Sequence, residues 1–396
     1  MRLWIAIVTL VTAVAATGQS PRSQYEALVK EYDNAYAAFV DAINKAGTDD
    51  DRERAAAQRP QEQNFAPRFF ALAEKHPDDP AAVDALTWIA SQCMFSPEGE
   101  KALQILTSKH SRSHQIAAYV AAANRYGEPF APYEVFLRVV LKNNPNPKIQ
   151  ASACITLAAY LKTVKERSES NLIRAALLGE RTMADVTRLN LNRLKERGLE
   201  NIAAESAALF ERVVKQHADT KLENQLPSEA GAFAKEQLFE LRNLCIGKKA
   251  LEIEGKDISG KPLKLSDYRG KVVVLDFGSH RFCGVCRAMY PDLRTLVEQF
   301  DGKPFALIGI NAGDDTNELK GLASNKEITW RVIWDGDEEE GPITSRWVVR
   351  SMPTFYVLDR SGVIRNKGFL QLEELTATVE MLLKVMDGET PPASSQ

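Results

Sequence analysis

With 396 residues the chain is too long for one ordinary domain, and its 44% hydrophobic and 26% charged content is the balance of a soluble globular protein. A net charge of −3 gives no electrostatic case for nucleic acid, so no such partner is expected.

The chain opens on Met1-Arg2, an apolar run from Leu3 to Ala16 and then small residues. Ala13-Val14-Ala15 and Ala16-Thr17-Gly18 are both possible processing sites, so residues 1–18 read as a secretory signal peptide. The run is short for a transmembrane helix, and an uncleaved anchor is the alternative reading. No cysteine stands near the processing sites, which argues against a lipoprotein. An extracytoplasmic location, periplasmic or secreted, is expected.

Residues 19–244 read as a helical domain. Ala and Leu are abundant, and Pro and Gly fall between the periodic segments. Breaks stand at Gly47-Thr48-Asp49-Asp50, His76-Pro77-Asp78-Asp79-Pro80, Gly127-Glu128-Pro129 and Asn143-Asn144-Pro145-Asn146-Pro147. Similar helix endings close at His76, His110 and Asn144, spaced 34 and 34, with another at His217 after 73 more. A period of 34 is that of tetratricopeptide helix pairs, but the full consensus is missing. Two readings stand: a helical-hairpin array, or an irregular bundle with chance periodicity. An array would offer a face for binding another protein or for self-association. The charged stretch from Lys165 to Gly198 predicts an exposed helix pair or an insertion.

From residue 245 the pattern changes from helix period to strand period. Leu263-Lys264-Leu265 predicts a short hairpin strand, and Val272 to Phe277 a buried parallel strand. Met289, Leu293, Leu296, Val297 and Phe300 predict a helix, kinked at Pro291. Phe305 to Ile310 and Trp330 to Ile333 predict further strands, with a helix from a Thr316 cap to Ser324 between them. The acidic loop Asp335 to Glu340 reads as solvated. Thr354–Leu358 and Val363–Arg365 predict an antiparallel pair around Gly362, and Leu372–Val385 a closing helix. This domain is expected over 245–386, with 387–396 a disordered tail.

Five cysteines are present, and only Cys283 and Cys286 have a functional spacing. Cys93 and Cys154 sit among apolar helical residues, where buried free thiols are expected rather than a bridge. Cys245 stands at the junction, unassigned. The C-x-x-C pair lies between a buried strand and a helix start. There the helix N-terminus stabilises the thiolate of Cys283, and Cys286 can resolve a mixed disulfide. Cys283 is expected to be the more exposed of the two. The pair is also a pattern for zinc or copper ligation, but no second pair accompanies it and only His280 is near. No metal and no cofactor are expected. His280 and Arg281 would each favour the thiolate if close, although a solvent-facing loop is the simpler reading.

These residues resemble the active-site region of the thioredoxin superfamily, in its extracytoplasmic TlpA/ResA-like branch. The likeness runs from Ile246-Gly247-Lys248 and Ile253–Asp257 through Gly260-Lys261-Pro262, Leu265–Lys271 and Leu275-Asp276-Phe277. It continues in Arg350–Phe355 and Asp359-Arg360-Ser361-Gly362, and covers just over a third of the chain. It implies a thioredoxin-like α/β domain after the all-α domain, and disulfide exchange with protein thiols and disulfides, with an upstream redox partner. Asp276 would assist deprotonation of Cys286. Pro353 would be the cis-proline, with the backbone of Met352 pairing with substrate. Three departures bear on potential and docking. Phe282 replaces the usual Trp, Gly284-Val285 the common Gly-Pro, and five residues rather than four separate Phe277 from Cys283. Two alternative functions stand beside this one: a peroxiredoxin-like peroxidase, whose Pro-x-x-x-Thr-x-x-Cys pattern is missing, and a non-enzymatic helical scaffold with a redox-inactive or metal-carrying domain.

Overall fold

The computed structural model describes residues 19–122, 130–179, 194–222, 228–338 and 341–384. The expected signal peptide, the break at Gly127-Glu128-Pro129 and the expected tail lie outside them. The chain divides into two compact units, with the change between Ala153 and Cys154. Among the described residues no helix is long and apolar enough to cross a membrane.

The first unit is helical: α1 (Pro21–Lys45), α2 (Asp49–Ala56), α3 (Glu62–Lys75), α4 (Pro80–Gln92), α5 (Pro97–Ile105), α6 (Ala117–Ala122), α7 (Ala131–Asn143) and the start of α8 (Pro147–Leu178). The breaks read from sequence fall at its caps. Thr48 and Asp79 accept amide N–H groups at the starts of α2 and α4, Pro80 opens α4, and His76 and Asn144 end α3 and α7. Its core centres on Trp88, with Phe69 stacked at 4.1 Å and Tyr32 edge-on at 5.2 Å.

The second unit takes in the rest of α8, α9 (Leu199–Gln216), α10 (Ala230–Asn243) and a sheet domain. Lys165 to Leu178 continues α8, and residues 180–193 of the stretch expected to form an exposed helix pair or an insertion lie outside the described ones. Lys162 and Lys165 are buried because each has a carboxylate one helical turn on, Glu166 at 3.1 Å and Glu169 at 2.9 Å. Charge on a helix reads as solvated only when its partners are not counted.

A hairpin, β1 (Glu254–Lys256) and β2 (Pro262–Lys264), precedes a five-stranded sheet of β3 (Val272–Gly278), β4 (Phe305–Asn311), β5 (Arg331–Trp334), β6 (Thr354–Leu358) and β7 (Ile364–Gly368). Strand order is β5-β4-β3-β6-β7. β3 and β4 are parallel with Asp276 opposite Gly309, and β6 runs antiparallel to β3 with Phe355 opposite Asp276. Every residue of central β3 is buried, as its unbroken apolar run requires. One face packs on α11 (Gly284–Gln299) and α14 (Leu372–Lys384), through Leu293, Leu296 and Val379. The other packs on Leu244, Trp347 and Val349. α11 continues through Pro291.

Two local expectations change. Asp315, not Thr316, caps α12 (Thr316–Ser324), accepting from the amides of Asn317 and Glu318. Asp335 is not solvated. It is buried and accepts from the Ile343 and Thr344 amides and the Thr344 hydroxyl, at the start of α13 (Pro342–Arg346). Glu339 and Glu340 of that loop lie outside the described residues.

Candidate active site

Three neighbouring strand ends build the site. β3 ends at Gly278 and the chain loops through Ser279–Phe282 into α11, whose N-cap is Cys283. Cys283 and Cys286 are joined as a disulfide, with Cα atoms 5.2 Å apart. The Cys283 sulfur also accepts the backbone N–H of Cys286 at 3.0 Å. It therefore sits where the helix dipole and a free amide favour negative charge. The expected difference in exposure is nearly absent, at 8% for Cys283 and 5% for Cys286. With the two sulfurs bonded and one turned onto the helix amide, neither stands out.

Asp276 lies on β3 and is 9% exposed. Burial alone pushes its carboxyl up to about 7, and no cation compensates it. A Cβ built on Gly278 would lie 3.5 Å from the Cys286 sulfur and 3.6 Å from the Asp276 carboxylate. The bare glycine thus leaves an open flank shared by the Asp276 carboxylate and the Cys286 sulfur. A cavity of about 20 Å³, lined by Asp276, Gly278, Cys286, Tyr290 and Asn311, occupies that flank.

The Met352–Pro353 bond is cis. Thr354 lies opposite Phe277, so Pro353 stands level with the end of β3, beside the loop to the dithiol. Pro353 is buried and Met352 half-buried. Phe282 is 50% exposed, with the Arg281 guanidinium 5.3 Å from its ring centre. His280 is half-buried rather than solvent-facing. It stacks on Tyr290 at 5.9 Å, with Nε2 3.7 Å from Glu318. Arg281 is exposed. Cys93, Cys154 and Cys245 are free and buried.

A model of the AhpC/TSA family matches residues 246–367. The thiol-disulfide oxidoreductase ResA of Bacillus cereus is 27% identical over 134 residues, 34% of this chain and 72% of that one. The thioredoxin-like protein YneN of Bacillus subtilis is 29% identical over 123 residues, 30% of this chain and 69% of its own. The domain is similar to thioredoxin-like oxidoreductases of the TlpA/ResA redoxin type. The thioredoxin domain of a thiol-disulfide oxidoreductase from Bacteroides vulgatus, of known structure, is 24% identical, covering 36% of this chain and 99% of that one, with a TM-score of 0.33.

Three residues around the redoxin dithiol escape a reading of the sequence. Asp314 is buried beneath the loop before Cys283 and accepts from Ser279, His280 and Arg281. Arg287 donates to the carbonyls of His280 and Arg281. Asn311 is buried with Oδ1 lacking a hydrogen-bond partner. Only position carries a signal for them: Asn311 ends a strand parallel to β3 and Asp314 follows it, where such sheets gather their functional loops. Among the described residues, no three His, Cys, Asp or Glu side chains stand close enough together to hold a metal ion.

Proposed function

We propose that this chain is an exported enzyme that exchanges disulfides with protein partners through Cys283 and Cys286. The observation that carries the reading is the Cys283 sulfur at the N-terminus of α11, accepting the Cys286 amide and bonded to the Cys286 sulfur. In the reduced form that amide and the helix dipole favour the Cys283 thiolate.

The thiolate attacks one sulfur of a partner disulfide, a bond forms between Cys283 and the partner, and one partner thiolate leaves. The Cys286 thiol gives its proton to the Asp276 carboxylate and attacks the Cys283 sulfur. The second partner thiolate leaves, and the Cys283–Cys286 disulfide closes. Two electrons have passed from the dithiol to the partner disulfide. The proton held on Asp276 passes on to solvent or to the released thiolate. A carboxyl titrating near 7 can take and return that proton near neutral pH. The Met352 backbone, beside Pro353, would pair with the extended partner chain, and exposed Phe282 would meet its side chains. Export rests on the signal-like first 18 residues and on the redoxin type.

Replacing Cys286 with Ser should trap a mixed disulfide on Cys283 that dithiothreitol releases, detected by mass. Replacing Cys283 with Ser should abolish exchange and trapping together. Exchange retained in the Cys283→Ser protein would overturn the reading.

A further inference from the structure

The loop from Gly278 to Phe282 is one residue longer than in the pattern this domain resembles, and its hydrogen bonding is closed on both sides. The amides of His280 and Arg281 donate to the Asp314 carboxylate at 2.6 and 2.7 Å. The Ser279 hydroxyl donates to the same carboxylate at 2.9 Å and accepts the Phe282 amide at 3.1 Å. The carbonyls of His280 and Arg281 accept from Arg287, on the first turns of α11. Asp314 is itself held, its carbonyl accepting the Trp334 indole N–H at 2.7 Å, and it is 1% exposed. The residue before it also serves the loop. Gly313 has φ +86°, and a Cβ there would come within 2.8 Å of the Phe282 ring.

We propose that Asp314 is a positioning residue for the dithiol. By clamping Ser279–Arg281 it fixes Cys283 at the N-cap, where its sulfur meets the Cys286 amide, and so sets the reactivity of Cys283 and the reduction potential of the pair. This rests on the oxidoreductase reading above.

The chemistry of the clamp calls for an anion. Three donors converge on one carboxylate, with two on Oδ1 and one on Oδ2. An asparagine of the same shape keeps one acceptor and turns an NH₂ towards a backbone N–H, so the loop must loosen. A loosened loop lets the Cys283 sulfur leave the helix amide. The thiolate then loses a charge-assisted bond, and the reduced form is weakened relative to the disulfide. Removal of a buried negative charge, acting through space alone, has the opposite sign, because it would favour the thiolate. The two effects are separable by direction.

The test compares wild type, Asp314→Asn and Ser279→Ala, full-length. The rate of iodoacetamide alkylation of the reduced protein is followed against pH, and the redox equilibrium is measured against glutathione. For Asp314→Asn the midpoint of the alkylation profile should move up by about one pH unit. The equilibrium should move about tenfold towards the disulfide, about 30 mV for a two-electron couple. Ser279→Ala should shift both readings the same way, by about threefold. Unchanged midpoint and equilibrium with only a lower Tm would make Asp314 purely structural and overturn the proposal, as would a midpoint that moves down. If Asp314→Asn does not fold, Ser279→Ala decides by the same readings. A wild-type protein that never cycles would instead overturn the oxidoreductase reading, and this is seen without any variant.

Discussion

Asp276 and the quartet Lys162, Glu166, Glu240 and Lys367 are all ionisable side chains removed from water in the same unit, yet they meet burial in opposite ways. In the quartet, Lys162 lies 3.1 Å from Glu166 and 2.7 Å from Glu240, and Lys367 lies 2.8 and 2.9 Å from the same two. Burial opposes each charge. The two lysines nonetheless hold Glu166 well below the usual carboxylate range, and the two glutamates hold Lys367 well above the usual lysine range. Through these pairs the quartet ties α8 and α10 to β7. Asp276 has no such partner, so burial alone moves it to about 7. A compensated charge fastens a structure, whereas an uncompensated one titrates where cells live and can carry a proton. On the proposed exchange reaction, the difference separates the part of this unit that holds from the part that reacts.

Breaking the quartet should have the largest effect on stability. Lys367→Met leaves two half-buried carboxylates facing one lysine and should cost about 3 kcal/mol in urea unfolding, with the reduction potential unchanged. Adding Glu240→Gln should recover part of that loss, since the pair then leaves with both its members. A loss below about 1 kcal/mol for Lys367→Met would mean that the quartet is solvated.

Removing the lone acid should do the reverse. The folded-state value of Asp276 is raised above its unfolded one, so the native state binds more protons between about pH 4 and pH 7 and loses stability as pH rises through that window. Asp276→Asn should therefore be more stable than wild type at pH 8, by on the order of 3 kcal/mol, and the gain should vanish near pH 4. Unfolding curves at the two pH values test this; a gain that does not change with pH would contradict it.

The same variant should slow exchange about 100-fold at pH 7.5, and the rise of rate through pH 7 should flatten. Stopped-flow fluorescence with an oxidised substrate protein would read both. The smallest effect belongs to Gly278→Ala. Its methyl would make ordinary contacts with the Asp276 carboxylate and the Cys286 sulfur, so the fold should survive. The filled flank should slow resolution of the mixed disulfide about threefold to tenfold. An unchanged rate would mean that the proton does not cross that flank.

Much of the reacting part was legible in the sequence, because it is written in local pattern. The continuous apolar run of Val272–Phe277 is what a strand covered on both faces needs, and the cysteines follow it at a helix start. Asp276 stands out as a carboxyl within that run. The holding part was not legible. Lys162 and Lys165 look like a solvated helix face, and Glu240 and Lys367 lie far along the chain from the lysine and glutamate they meet. Asp314 is likewise more than thirty residues from the loop it clamps, so no local pattern announces it. The cap at Asp315 is legible in its Asp-x-x-Glu spacing to Glu318, a stronger signal than the neighbouring Thr316. Asp335 stands in an acidic run, a pattern that reads as solvent-facing and carries no sign that one member turns inward to the start of a helix.

The most direct measurement is a redox titration of the protein against thiol/disulfide buffers, with the remaining thiols alkylated and located by mass. The account predicts a reversible loss of two thiols, confined to Cys283 and Cys286, while Cys93, Cys154 and Cys245 stay reduced throughout. A pair that never closes, or closure that draws in one of the three buried thiols instead, would contradict it.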